Sequence, residues 1–204
     1  MAKVKHTKTE LKAQSDALRR FQRFLPMLQL KKQQLQAELS AIAARIEDVA
    51  AREAAALASL DKWVALFSEQ DATLARLVTV DRVVTDSNNI AGVTIPVFKC
   101  IETTVAETDL FATPAWLDDA AEMLATILGL RAERGVLESQ HDLIASELTT
   151  TSQRVNLFEK VKIPECQENI RIIKIAIGDE QTASVTRGKI AKGRSRQAEE
   201  EDAA

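Results

Sequence analysis

The sequence predicts a mainly α protein: a long antiparallel two-helix coiled coil with a small β-hairpin excursion between the helices. Three observations carry this. The first 91 residues hold no glycine, and from Met27 to Ala91 there is no proline either, so nothing punctuates a helix there. Ala, Leu, Glu, Lys and Arg supply 97 of the 204 residues, the composition of long helices and coiled coils. Between two helical stretches lies one short region rich in β-branched residues, the strand-forming types.

The N-terminal helix is expected over residues 7–80. Thr7 and Glu10 have capping-box spacing at its start. Leu18, Phe21, Leu25, Leu28, Leu35, Leu39, Ile42, Ile46 and Val49 recur at the three- and four-residue gaps of a heptad seam, with a lysine stem filling one slot. The apolar seam resumes only at Leu57, Leu60, Val64 and Phe67, a jump that reads as a stutter-like break. The helix end is placed near Asp81, before Thr85-Asp-Ser-Asn-Asn89.

Residues 81–115 form the expected β segment. Val83, Val84, Ile90, Val93, Ile95, Val97, Phe98, Ile101 and Val105 favour a hairpin or three short strands. Asn88 and Asn89 are the candidates for positive φ, Gly92 for a bulge or bend, and Pro96 restricts its strand to an edge. Thr113-Pro114 then caps a second helix over 116–178, with Asp118 and Asp119 complementing its N-terminal dipole. Its seam is Ile127, Leu130, Arg134, Leu137, His141, Ile144, Leu148, Thr151, Val155 and Phe158. Ile163, Ile170, Ile173 and Ile177 extend it, and Gly178 is the candidate left-handed cap. Residues 179–204 form a basic then acidic tail, a helical extension or disordered.

Folding one helix back on the other predicts a rod of roughly 100 Å at 1.5 Å per residue, with both chain ends at one tip. That tip gathers Lys3, Lys5 and Lys8 with Arg187, Lys189 and Lys192, the expected partner contacts together with Ile90, Val93, Ile95 and Val97 of the β segment. Pro26 and Pro164 fall near one level, where a bend or loosened region is expected. Trp63 and Trp116 are expected to pack at the base of the hairpin.

Several function classes lose their footing. A formal net charge of −3 gives no reason to invoke nucleic acid, and no apolar run reaches the ~18 residues of a membrane span. The start lacks the apolar stretch of a secretory signal, and Cys100 and Cys166 read as free thiols of a reducing cytoplasm. Gly188-Lys-Ile-Ala-Lys-Gly193-Arg-Ser195 approaches a phosphate loop, yet Arg194 stands where lysine belongs and no strand precedes it. His6 and His141 are the only histidines, and only Glu138 stands at ligand spacing from His141. No catalytic group, cofactor site or metal site emerges. Packing residues, solvated charges and a basic end account for every motif.

Three strings, in order, resemble one family. Thr7-Lys-Thr-Glu-Leu11 with Leu30-Lys-Lys32, Asn89-Ile-Ala-Gly-Val-Thr-Ile-Pro96, and Arg154-Val-Asn-Leu-Phe-Glu159 with Val161-Lys-Ile-Pro164 are similar to segments of the D subunit of the V-type rotary ATPases. The resemblance implies a non-catalytic central rotor shaft in an ATPase or ATP synthase, peripheral on the inner face of the cell membrane. It implies as partners the catalytic and non-catalytic ring subunits, a small companion stalk subunit (F), and a cone-shaped subunit capping the membrane ring. Neither nucleic acid nor direct membrane insertion is part of that picture, and no cofactor is. A prefoldin-like coiled-coil chaperone is the alternative from another class, sharing two helices joined through β-hairpins.

Overall fold

Covered residues recur at three- and four-residue spacing along the helices, as a coiled coil requires. The structure, a computed structural model, describes residues 5–60, 77–106 and 116–202. Helix α1 spans Lys8–Leu60, strands β1 and β2 span Val78–Ile90 and Val93–Val105, and helix α2 spans Trp116–Leu157. A π-helical turn, Phe158–Lys162, joins α2 to α3, Ile163–Asp202. The chain divides into two units, residues 31–151 and residues 1–30 with 152–204.

Helix α1 starts as its capping signal requires. The Glu10 N–H donates to Thr7 Oγ1 at 3.2 Å, while the Glu10 carboxylate accepts from Gln14 Nε2 at 2.8 Å instead of closing the second half of the box. Along α1 the covered side recurs at Leu11, Gln14, Leu18, Phe21, Leu25, Leu28, Lys32, Leu35, Leu39, Ile42, Ile46, Val49, Glu53, Ala56 and Leu60. Those gaps alternate three and four without interruption. The stutter expected after Val49 is therefore corrected: Glu53 and Ala56 fill the slots, and Leu57 stands outside the seam at 38% exposure. Val64, Phe67 and Trp63 lie outside the described residues, as do Thr113 and Pro114.

In the unit of residues 31–151, α1 and α2 run antiparallel. Lys31 Nζ meets Glu147 Oε1 at 2.7 Å, and further along α1, Glu53 meets Arg131, earlier in α2. Leu35, Ile42 and Ile144 are buried together with Ile95 of β2, and Ile90, Ala91 and Val93 pack against them. The hairpin thus lies on the helix pair and contributes to its core. Leu77, Leu117, Ala120 and Ala121 form a second cluster, with Val78, Trp116 and Leu124 against it.

The hairpin is two antiparallel strands in register from Val78↔Val105 to Ile90↔Val93, with irregularities between Val80 and Arg82 and between Val84 and Thr85. β1 begins at Val78, so Asp81 falls inside the strand. The turn also differs from the expectation. Asn88 and Asn89 are strand residues, and the positive φ values belong to Ala91 (50°) and Gly92 (83°). A two-residue hairpin loop demands both. Asn89 supports the turn from outside, its Oδ1 accepting the Gly92 N–H at 2.9 Å.

In the unit of residues 1–30 with 152–204, the rings of Phe21 and Phe158 approach to 5.1 Å between centroids. Val155, Cys166 and Ile173 are buried. Pro164 has no N–H for the Lys160 carbonyl and its ring crowds that oxygen; the turn before it widens, and the Ile163 N–H reaches Phe158 O instead. The loosening expected near the prolines is thus a π turn on one helix. Pro26 sits on the exposed face of α1, which continues through it. Gly178 is also a correction: it is not a left-handed cap, and α3 passes through it to Asp202. One helical glycine costs only about 1 kcal/mol. The cost leaves the helix standing.

A Cβ added at Gly92 meets nothing within 4 Å, so Gly92→Ala tests backbone strain alone. It is expected to lower unfolding stability by about 1–2 kcal/mol in urea titration.

Candidate functional site

Neither of the enzyme-like motifs has catalytic geometry. Gly188–Ser195 lies within helix α3, where backbone N–H groups are committed to the helix and no loop cradles a phosphate. His141 lines a shallow hollow with Ala43, Ile46, Glu47, Glu138 and Asp142, its Nδ1 3.5 Å from Asp142 Oδ1. Among the described residues no cluster of His, Cys, Asp or Glu is placed to hold a metal. No described helix is long and apolar enough to cross a membrane.

Two of the polar seam positions, Glu53 and Arg134, belong instead to a built ionic layer. Glu53 is 5% exposed. Its Oε1 accepts from Arg131 Nε at 2.7 Å and its Oε2 from Arg134 Nη1 at 2.7 Å. Both carboxylate oxygens are thereby satisfied. On the flank, Arg52 reaches Glu133 at 3.5 Å and Asp48 at 3.2 Å. Arg134, a seam residue by spacing, keeps its guanidinium partly in water while its stem covers the seam, the usual compromise for a long cation. Sequence reasoning singled out Arg134 and missed Glu53. The signal was an acid at seam spacing four residues after Val49.

The partner-contact candidates divide into two kinds. Lys5 and Lys8 are exposed at the start of α1, and Arg187, Lys189 and Lys192 are exposed on α3; Lys3 lies outside the described residues. All belong to the unit of residues 1–30 with 152–204. From Gly178 to Arg196 every residue of α3 is exposed, so the described residues of that unit leave this stretch uncovered. Val185 and Ile190 stand in it among the cations. In the β segment Ile95 is 2% exposed and Ile90 and Val93 are packed against its cluster, while Val97 is half-buried. Gln140 donates from Nε2 to the Pro96 carbonyl, tying α2 to the strand.

Both cysteines are free, Cys100 exposed and Cys166 buried. Burial pushes the Cys166 thiol up, and the Glu165 charge adds to this against a smaller opposing effect of Lys162.

Comparison with known proteins gives one consistent answer. A family model described as the ATP synthase D subunit matches residues 10–193. A V-type ATP synthase D subunit from Borreliella burgdorferi is 45% identical over 192 residues, covering 94% of this chain and 95% of that protein. Proteins of the same description from Chlamydia muridarum and Chlamydia trachomatis serovar L2 are 34% and 33% identical, each over 98% of this chain and 99% of the relative.

Two outcomes follow from the polar layer and the thiols. Removing both arginines (Arg131→Ala with Arg134→Ala) strands a buried carboxylate and is expected to cost about 3 kcal/mol or more in a denaturant melt, whereas Glu53→Leu is expected to be near neutral. Iodoacetamide at pH 8 is expected to alkylate Cys100 in the folded protein and to reach Cys166 only after unfolding, as read by mass spectrometry.

Proposed function

The chain belongs to the ATP synthase D-subunit family, and on that premise we propose that it is a non-catalytic central-stalk rotor. In this reading it carries torque between the ring that hydrolyses or makes ATP and the ion-translocating ring in the membrane. The observation that bears most weight is the uninterrupted seam of α1. A shaft under torsion needs two helices that cannot swivel independently, and fifteen consecutive seam positions spread that resistance over the helix length. The satisfied Glu53 layer adds directional bonds to non-directional packing.

The exposed stretch of α3 supports the same reading. A helical stretch that the described residues of its own unit leave exposed from Gly178 to Arg196 derives little stability from packing within that unit, and one studded with Arg187, Lys189 and Lys192 suits a surrounding sleeve. The sleeve in this reading is the ring of catalytic and non-catalytic subunits, with Lys3, Lys5 and Lys8 entering beside it. A shaft that must turn is better served by spread, screened charges than by one deep anion pocket. The hairpin, anchored through Ile95 and Gln140, then presents a rigid outer surface to the companion subunit and the cone-shaped subunit. The chain itself supplies no reacting group, and its place is peripheral, on the cytoplasmic face of the membrane. Prefoldin-like client capture would need apolar helix ends, and the cations here argue for the shaft.

The test uses the complex reconstituted from its subunits in vesicles. Neutralising Arg187, Lys189 and Lys192 together to glutamine is expected to lower the ions moved per ATP hydrolysed. An unchanged ratio and unchanged torque would refute the assignment of coupling to these residues.

A further inference from the structure

Strand β1 has a composition that its conformation does not explain. Asp86, Ser87, Asn88 and Asn89 follow one another inside it, although Asp and Asn are depleted in strands. All of them are exposed, whereas Ile95, Pro96, Val97 and Phe98 of β2 are buried or half-buried. β1 is therefore the outer strand of the hairpin. Among the described residues the sheet is two-stranded, so β1 keeps one edge unpaired. Such an edge is a template for a strand of another chain.

The register decides which groups line that edge. In an antiparallel pair, opposite residues alternate between exchanging both main-chain bonds and exchanging none. The two-residue loop makes Ile90↔Val93 a bonded pair. Asn89↔Thr94 and Ser87↔Pro96 are then unbonded pairs, with their main-chain groups turned outward. Pro96, which has no N–H, fits such a position, and Gln140 takes its carbonyl. On the β1 side the Ser87 N–H donates to Asp86 Oδ1 at 2.9 Å, and the Asn89 N–H donates to Asn88 Oδ1 at 2.8 Å. Successive outward donors are thus each occupied by the side chain one residue back. Lys99 Nζ, 3.0 Å from Asp86 Oδ2, holds the Asp86 carboxyl below the usual carboxylate range, and the Ser87 N–H adds to this. Farther along β1, Asp81 has no partner across the ladder, a bulge of the kind that twists an edge away from other strands.

We propose that Asp86 and Asn88 are edge guards, which occupy the outward N–H groups of Ser87 and Asn89 and so keep β1 from pairing with β1 of a second copy. Without them two hairpins related by a twofold axis would join through these edges into one continuous sheet, because an edge 13 residues long meets its own complement when turned antiparallel. The guards explain why turn-forming residues stand in a strand that makes no turn. The proposal does not depend on the rotor reading.

The test is made on the full chain by analytical ultracentrifugation. Asp86→Val with Asn88→Val removes both acceptors and is expected to tighten self-association at least about tenfold over the parent, with unchanged helical circular dichroism. Adding Ser87→Pro to that pair deletes an outward N–H and sets a ring in the path of an incoming strand, at no loss of a ladder bond. It is expected to return association to the parent's level. A double variant that associates no more than the parent overturns the proposal, and so does association that survives Ser87→Pro. A second reading avoids any loss of folding in the double variant. By NMR, the Ser87 amide proton in Asp86→Ala and the Asn89 amide proton in Asn88→Ala are each expected to exchange at least about fivefold faster than in the parent, after correction for intrinsic rates. Unchanged exchange at both positions also overturns the proposal.

Discussion

Burial of a single stripe of side chains at alternating three- and four-residue spacing constrains every other part of this molecule. The stripe on α1 runs in one phase from Leu11 to Leu60, and the facing stripe must stay in phase with it. On α2 it does so from Ile127 to Phe158, each position buried or half-buried. Beyond Phe158 the sequence slips: the next covered residues at heptad spacing are Ile163, Cys166, Ile170, Ile173 and Ile177, one residue later than an unbroken α-helix would put them. The π turn at Phe158–Lys162 takes up that one residue, since its bonds span five residues instead of four. The same turn accommodates Pro164. One local irregularity therefore serves two demands, and Ile173 arrives fully buried.

The seam also tolerates charge where the charge is matched. An unpaired carboxylate at the Glu53 depth would cost several kcal/mol, and two charge-assisted bonds offset it. The geometry is register-specific. A slip of one heptad along α2 would set Glu53 against Leu124 and Ile127 or against Glu138 and His141, so the ionic layer opposes sliding in both directions. Hydrophobic packing alone would resist such a slip less, because neighbouring heptads look alike. Hairpin packing through Ile95 between Leu35, Ile42 and Ile144 fixes the same register by shape. For a component of a V-type ATP synthase, two independent devices against slip suit a part proposed to transmit rotation.

Much of this was legible from residue spacing. The long glycine-free helix, the capping threonine, the β excursion and the strictly alternating second seam all follow from periodicity and turn chemistry. Arg134 and His141 were correctly placed on the seam although they are polar. Glu53 was not, because a pattern search for apolar residues steps over an acid and reports a break; only the facing arginines, 78 and 81 residues away, reveal the slot as filled. The turn was misplaced because Asn88 and Asn89 have the stronger local preference for left-handed backbone, while the pairing of Ile90 with Val93 forces it on Ala91 and Gly92. Gly178 shows the converse: one permissive residue does not by itself end a helix, since its cost is only about 1 kcal/mol. The inward role of Ile95 depends on tertiary packing, which spacing within the strand does not encode. Of the candidate contact residues, the sequence named cations, which are exposed where described, and Ile90, Val93, Ile95 and Val97, of which Ile95 is buried in the chain's own core.

Phase is the central claim, and single-residue deletion tests it most directly. Deleting Lys160 together with Pro164→Ala, which removes the proline's own need for the wide turn, lets α2 run into α3 with Ile163, Cys166 and Ile170 still on the seam. Deleting Arg45 shifts half of α1 out of phase with no π turn to absorb the change. The account predicts that the first protein melts within about 3 °C of the parent and the second at least about 10 °C lower, given roughly 2–4 °C per kcal/mol for a chain of this size. Equal losses from the two deletions, or a larger loss from deleting Lys160, would contradict it.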